Sequence, residues 1–145
     1  MDSNIITSNQ NPRVKRLLSL QQKSQVRRAE ERFVVEGRRE LLHCLEAGYV
    51  AESVFLCQGM TDAQELRLSQ DVDVFVVSPS VYERIAYRGG TEGVVAVIKS
   101  RQRGLDDLSL GRDPLVVVLE SVEKPGNLGA VLRSADAAQA DAVIV

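Results

Sequence analysis

The chain has 145 residues, which is enough for one complete hydrophobic core and part of a second. Its composition, 44% hydrophobic and 26% charged, is that of a folded globular protein and excludes disorder over most of the length. No apolar run is long enough to span a membrane, and Met1 is not followed by the positive-then-apolar order of a secretion signal. We therefore expect a cytoplasmic protein.

The formal net charge of −2 conceals a basic N-terminal segment. Within residues 13–32 only Glu30 and Glu31 carry negative charge, and Arg38 and Arg39 follow closely. The cationic side chains within residues 13–32 are Arg13, Lys15, Arg16, Lys23, Arg27, Arg28 and Arg32. Because a local cluster attracts a polyanion even when the total charge does not, this segment is the candidate nucleic-acid-binding part of the chain.

The first predicted element is a helix from Pro12 to about Lys23. Asn11 can accept a hydrogen bond from the first-turn amides, and proline loses nothing at the first helical position. Helical spacing predicts a buried face made of Val14, Leu17 and Leu18, with Gln21 as an optional member. The basic side chains of this helix are then left on the outside.

Strands and helices alternate from there to residue 98. The predicted strands are 33–35, 53–57, 72–77 and 93–98, and the predicted helices are 38–47, 61–69 and 79–87. Such alternation indicates an α/β sandwich in which parallel strands are common. Charge, glycine and Pro114 then break the rhythm, which predicts a linker over residues 99–113.

A new unit is predicted from residue 114. Residues 115–119 are entirely apolar, which is typical of a strand covered on both faces. A loop over 120–126, a helix over 127–138 and an apolar strand over 142–145 follow. A β-α-β start cannot bury both faces of its strands without further elements, so the sequence predicts that this second domain is incomplete.

The most specific motif of the chain opens the helix of this second unit and reads Asn127-Leu128-Gly129-Ala130-Val131-Leu132-Arg133-Ser134-Ala135. It resembles the first signature of the SpoU/TrmH-type RNA ribose 2′-O-methyltransferases, which also follows the first strand of a catalytic domain. Asn127 is suited to cap the helix, Gly129 permits close approach, and Arg133 can bind a phosphate in bidentate fashion. Lys124 and Gln139 depart from the family pattern, which often has Asp and Gly there.

Three N-terminal segments are similar to the L30e-like substrate-binding domain of the same family. They are Ile6-Thr7-Ser8-x-x-Asn11-Pro12-x-Val14-Lys15, Phe33-Val34-Val35-Glu36-Gly37 with Arg38 or Arg39, and Gly93-Val94-Val95-Ala96-Val97. The resemblance implies an L30e-like α/β/α sandwich that binds RNA over residues 1–98. It also implies the beginning of a SPOUT (trefoil-knot) methyltransferase domain over residues 114–145.

The resemblance further implies transfer of a methyl group from S-adenosylmethionine to a ribose 2′-hydroxyl of rRNA or tRNA. Arg133 and Asn127 match catalytic positions: Arg133 would fix the phosphate beside the target ribose, and Asn127 would hold the loop. The implied RNA-binding residues are Arg13, Lys15, Arg16, Arg27, Arg28, Arg38 and Arg39. The cofactor-binding segments are expected beyond Val145, so we expect no S-adenosylmethionine on this chain, and a homodimer of the intact enzyme through that domain.

Two alternatives remain open. A non-catalytic L30e-like RNA-binding module has no need of the second unit, and a small-nucleotide domain is disfavoured by the lack of a glycine fingerprint. No metal site is expected: Cys44 and Cys57 lack metal-ligand spacing and are predicted to be buried reduced thiols, and His43 is predicted to be structural. Tyr82 and Tyr87 are predicted to pack on the sheet, with base stacking as the alternative.

Overall fold

Four strands of the N-terminal part form one mixed sheet in the computed structural model, which describes residues 5–66, 68–87 and 92–145. The strands are β1 (Arg32–Glu36), β2 (Ala51–Cys57), β3 (Asp73–Val77) and β4 (Val94–Lys99). In the order β1-β4-β2-β3, strand β4 is antiparallel to both neighbours, and β2 and β3 are the parallel pair. The sheet thus combines a parallel pair, the pairing that is common in α/β sandwiches, with two antiparallel pairs, because a connecting helix can return the chain to either end of a sheet.

Helices cover both faces of this sheet. They are α1 (Pro12–Gln22), α2 (Ser24–Glu30), α3 (Arg38–Glu46) and α4 (Pro79–Ile85). Along β4, Val95 and Val97 pack into the core that contains α1 and α4, whereas Val94, Ala96 and Ile98 pack with Leu41 of α3. This alternation follows from the two-residue period of a strand and confirms the predicted α/β/α sandwich.

Helix α1 begins as predicted. The Asn11 side chain accepts a hydrogen bond of 2.9 Å from the Arg13 amide. Its fully buried residues are Val14, Leu17 and Leu20, while Leu18 and Gln21 are half-buried. The buried row therefore runs at three-residue spacing, and Leu20 takes the buried place that was predicted for Leu18.

Two elements differ from the sequence prediction. Helix α2 was not predicted, because its seven residues hold a single long apolar side chain, Val26, and no capping hydrogen bond. The predicted helix over 61–69 is reduced to one short 3₁₀ turn, Ala63–Leu66, anchored by the buried Leu66. Arg67 lies outside the described residues. Both segments are too short for periodicity to decide their conformation.

The second unit, Gln102–Val145, is built on the parallel strands β5 (Val116–Val118) and β6 (Ala142–Ile144), with helix α5 (Pro125–Ala137) between them. Val118 is 68% exposed, so the expectation of a strand covered on both faces is not met within the described residues. Gln139 has a φ of 55°, a left-handed conformation that favours glycine, which explains the glycine of the family pattern there. None of the described helices is long and apolar enough to cross a membrane.

Candidate functional site

The basic residues of the N-terminal segment are divided between the two faces of the sheet. Helices α1 and α2 pack on the side that contains Phe55, Val95 and Val97, whereas α3 packs on the opposite side. Arg38 and Arg39, which follow the other basic residues closely in sequence, are therefore separated from them by the sheet. The residues that form one basic segment in the sequence therefore lie on two separate surfaces of the folded domain.

Arg16 is held in an ionic network rather than left free. Its guanidinium lies 2.7 Å from the Glu30 carboxylate and 2.5 Å from that of Glu52, and Glu52 also lies 2.5 Å from Arg32. Glu52 stands at a break in the β2–β4 register between Ala51 and Ser53, and such an irregularity can re-aim a side chain out of the regular pleat. Burial alone would raise the pKa of Glu52, but the hydrogen bonds and charges of Arg16 and Arg32 outweigh it and lower the pKa.

Glu52→Gln is expected to destabilise the first unit at neutral pH by about 1–2 kcal/mol, since it leaves two partly exposed arginines without their shared carboxylate. Because the folded-state pKa of Glu52 is lowered, this contribution is present above its ordinary value of 4.5 and is lost as the pH falls through the folded-state pKa. Urea unfolding between pH 3 and 7 measures the difference. Glu46→Gln is the control, because the Glu46 side chain is 75% exposed and, among the described residues, forms an ion pair with His43 alone. If the difference in unfolding free energy between Glu52→Gln and the unsubstituted chain did not depend on pH, the ionised Glu52 carboxylate would not stabilise the fold.

Three other predicted RNA contacts also serve the fold. Arg13 lies over the Phe75 ring, 4.6 Å from its centroid. Arg27 donates to the main-chain oxygens of Leu20 and Gln21 at 2.8 and 3.0 Å, and so caps the end of α1. Arg38 lies 2.7 Å from the Glu65 carboxylate. Their replacement would change packing as well as charge.

The remaining three predicted RNA contacts are exposed. The side chains of Lys15 and Arg28 have no hydrogen bond or ion pair to any described residue, and Arg39 forms no ion pair within that part of the chain. The Arg39 Nε lies 3.4 Å from His43 Nε2. Of the predicted RNA contacts, Lys15 and Arg28 on one face, and Arg39 on the other, are thus the ones that the fold leaves available to phosphates.

The two cysteines and the histidine differ in how far they are buried. Cys57 is buried but Cys44 is only half-buried; both are free thiols, and burial raises the pKa of each, with Glu83 adding to the rise at Cys57. His43 is exposed, 3.6 Å from the Glu46 carboxylate. The described residues contain no cluster of three or more His, Cys, Asp or Glu that could hold a metal ion.

The two tyrosines singled out in the sequence differ in their surroundings. Tyr82 belongs to α4 and is buried in the core between that helix and the sheet, as expected. Tyr87 is exposed, so the prediction that it packs on the sheet is wrong. It follows the end of α4, where the helix no longer directs side chains toward the sheet.

Asn127 does not cap α5. The helix begins at Pro125, the residue before it, Lys124, is extended, and no side chain caps the first turn. Asn127 is exposed in that first turn, and its amide donates to the Lys124 oxygen at 2.9 Å. Proline fixes its own φ near the helical value and excludes helical conformation at the preceding residue, so Pro125 decides the start two residues earlier than predicted.

Arg133 lies in the third turn of α5 and is exposed. A β-carbon added at Gly129 would lie 3.6 Å from Arg133 Nη1, so the side chain runs back toward the start of the helix over the bare glycine. In a parallel β-α-β unit the start of the helix adjoins the carboxyl end of the strand, the edge where α/β sheets bind ligands. The uncapped first turn carries partial positive charge and Lys124 precedes it, so this end of α5, toward which the Arg133 side chain runs, is a candidate site for a phosphate.

Comparison with known protein families identifies the family of the N-terminal domain. The family profile of the MRM3-like substrate-binding domain matches residues 11–96. The chain belongs to this family.

The individual relatives extend the likeness beyond that domain. The 23S rRNA (guanosine-2′-O-)-methyltransferase RlmB of Escherichia coli is 34% identical over 104 residues, which are 65% of this chain and 43% of that protein. A crystal structure of an RNA 2′-O ribose methyltransferase is 37% identical, with a TM-score of 0.76 over 95% of this chain and 54% of that one. AdoMet-bound rRNA methyltransferase from Sinorhizobium meliloti is 28% identical, with a TM-score of 0.81 over 95% and 52%.

The resemblance to SpoU/TrmH-type methyltransferases is confirmed by these matches. The chain spans about half the length of the relatives that it matches.

Sequence reasoning missed two features of these units. Glu52, which joins Arg16 to Arg32, lies 36 residues from Arg16 along the chain, and no local pattern marks such a pair. The second is a cleft beside the edge strand β1, whose walls come from α1, α2 and α4. The alternation of strands and helices predicts the elements but not which of their ends meet.

Proposed function

We propose that the chain is the RNA-binding half and the first segment of the methyl-transfer half of an RNA 2′-O-methyltransferase that acts on rRNA or tRNA. Residues 1–98 would bind the substrate, 99–113 would link, and 114–145 would begin the methyltransferase domain. The observation that carries the proposal is the match over residues 11–96, followed by a β-α-β unit with Asn127 and Arg133 at the signature positions. The direct test is transfer of a labelled methyl group to rRNA and tRNA, with analysis of the product for 2′-O-methylnucleosides.

The described residues near the signature fit RNA rather than the cofactor. S-adenosylmethionine would supply an electrophilic methyl group from a positively charged sulfonium. Lys124, Arg133 and the first turn of α5 are of the same sign, so they would repel that sulfonium and attract a phosphate. AdoMet-bound neighbours support this cofactor for the intact enzyme, and we place its binding residues outside the described part of this chain.

Arg133 would position the substrate. A ribose hydroxyl is a poor nucleophile, so transfer depends on alignment and on removal of its proton. A guanidinium stays protonated and can hold the neighbouring phosphate through two parallel hydrogen bonds. A non-bridging oxygen of the held phosphate would accept the hydroxyl proton as the methyl group is transferred, and Asn127 would contact the loop from the first turn of α5.

We assign RNA binding to the α1–α2 face, where Lys15 and Arg28 are exposed. Lys15→Ala combined with Arg28→Ala is expected to weaken binding of structured rRNA and tRNA fragments. The slope of log K against log salt should become shallower by about 0.7–0.9 for each phosphate that is no longer neutralised. Arg39→Ala is the control for the two single substitutions, Lys15→Ala and Arg28→Ala, because it likewise removes one exposed cation, but from the opposite face. Titration between 50 and 300 mM KCl measures the slopes, and equal effects of Arg39→Ala would contradict this assignment of the face.

We propose a cytoplasmic enzyme, because rRNA and tRNA are found there. We also propose that the intact enzyme is a homodimer through its methyltransferase domain, as the family resemblance implies; sedimentation of the full-length protein measures this.

A further inference from the structure

The cleft beside the edge strand β1 has a volume of about 660 Å³. Its walls are the end of α1, Arg27 of α2, Phe33 and Glu36 of β1, and the end of α4 with Arg84 and Tyr87. The volume lies within the range of roughly 300–1,000 Å³ typical of small-molecule sites, which accommodates one nucleotide. The cleft opens on the same side of the sheet as α1 and α2.

Tyr87 is the exposed aromatic residue of this cleft. Tyr87 is 91% exposed, although an aromatic ring in water loses the free energy that burial would give it. Its main-chain amide, in contrast, is fixed by a 2.7 Å hydrogen bond to the Glu36 carboxylate. A ring that is free on its faces and fixed at its backbone is a platform on which a planar group can stack.

The walls around Tyr87 are held in place and carry positive charge. The Gln21 side chain donates to the Ile85 oxygen at 2.6 Å and so ties α1 to the end of α4. The bonds from Arg27 to the last turn of α1 set its guanidinium at the cleft. Arg84 is exposed and has no ion pair with a described residue. Glu36 is the acidic residue of the cleft wall, and its carboxylate already accepts a hydrogen bond from the Tyr87 amide.

We infer that this cleft captures one unstacked nucleotide of the RNA substrate, with the base stacked on Tyr87 and the adjoining phosphates on Arg84 and Arg27. The inference rests on the proposed function and narrows it to a flipped-out or single-stranded nucleotide. Proteins read unpaired RNA in this way, because only a base outside a helix exposes a face to an aromatic ring. Arginine at the rim then supplies charge and a planar donor group.

The test compares a fluorescein-labelled single-stranded RNA of about ten nucleotides with the same strand in a fully paired duplex. Tyr87→Ala is expected to weaken single-strand binding about 5- to 100-fold, the range for loss of one base–aromatic stack, and to leave duplex binding unchanged. Tyr87→Phe should bind like the unsubstituted chain, and Arg84→Ala should weaken binding more at low salt than at high salt. Val50→Ala, at an exposed position beside β2, is the control.

Tyrosine fluorescence provides a second measurement, because the chain has three Tyr and no Trp. Stacking should quench the emission of Tyr87 when unlabelled RNA is added, and Tyr87→Phe should abolish this quench while affinity is kept. If the chain binds RNA and Tyr87→Ala changes neither affinity nor quench, the cleft is not the site and the proposed function stands. If the chain binds neither RNA form, the proposed function fails together with the inference. Tighter binding of the duplex than of the single strand would also contradict the inference that the cleft binds an unstacked nucleotide.

Discussion

Arg133→Ala is expected to lower single-turnover methyl transfer by the full-length protein about 10²- to 10³-fold, the cost typical of removing one preorganised group from a reacting centre. The Arg133 side chain is exposed and runs over Gly129, while Leu128, Val131 and the buried Ala135 provide the packing of α5. The melting temperature should therefore stay nearly unchanged. Arg133→Lys should restore little, because a point charge cannot reproduce a bidentate contact with phosphate.

The controls for this prediction lie on the same helix. Asp136→Asn changes an exposed charge one residue beyond the signature and should leave transfer intact. Asn127→Ala should lower transfer without the loss of about 1 kcal/mol that a helix cap would give, since Asn127 lies inside the first turn. Wild-type transfer by Arg133→Ala, or its outright unfolding, would return Arg133 to a structural role.

Leu17→Ala is expected to have the largest effect on stability, a decrease of about 3 kcal/mol in the free energy of unfolding of the first unit. Leu17 is 1% exposed and lies in the core that joins α1 to the sheet, so its truncation leaves a cavity beneath the helix. RNA binding should fall with it, because α1 carries Lys15 and forms a wall of the cleft.

Urea unfolding followed by circular dichroism measures this decrease. Lys15→Ala is the control: it replaces an exposed residue on the same helix and should change stability by less than about 0.5 kcal/mol. A cost below about 1 kcal/mol for Leu17→Ala would show that α1 is not an integral part of the core. The two variants also separate folding from binding, since Lys15→Ala is expected to change only the contact with RNA.

Much of the fold was predictable from local patterns. The Asn11-Pro12 start of α1, the apolar strand β4 and the strand-helix-strand order of the second unit all follow from residue types at short spacing. The spacing of apolar residues predicted less where the elements are short, as with α2 and the 3₁₀ turn at Ala63–Leu66. The predicted start of α5 at Asn127 was wrong for a different reason. Asn and Pro both favour the start of a helix, and Pro125 set the boundary because proline constrains the backbone itself.

The sequence by itself determined the family, the residues of the signature and the basic character of the N-terminal segment, because each depends on residue types at fixed local spacing. Only the tertiary structure decided which cations are available. The sheet separates Arg39 from Lys15 and Arg28, and Glu30 with Glu52 occupies Arg16. Likewise Tyr87 came to lie at a cleft through contacts among α1, β1 and α4, distant in sequence. Local spacing does not encode such contacts, since they depend on how the hydrophobic faces pack together.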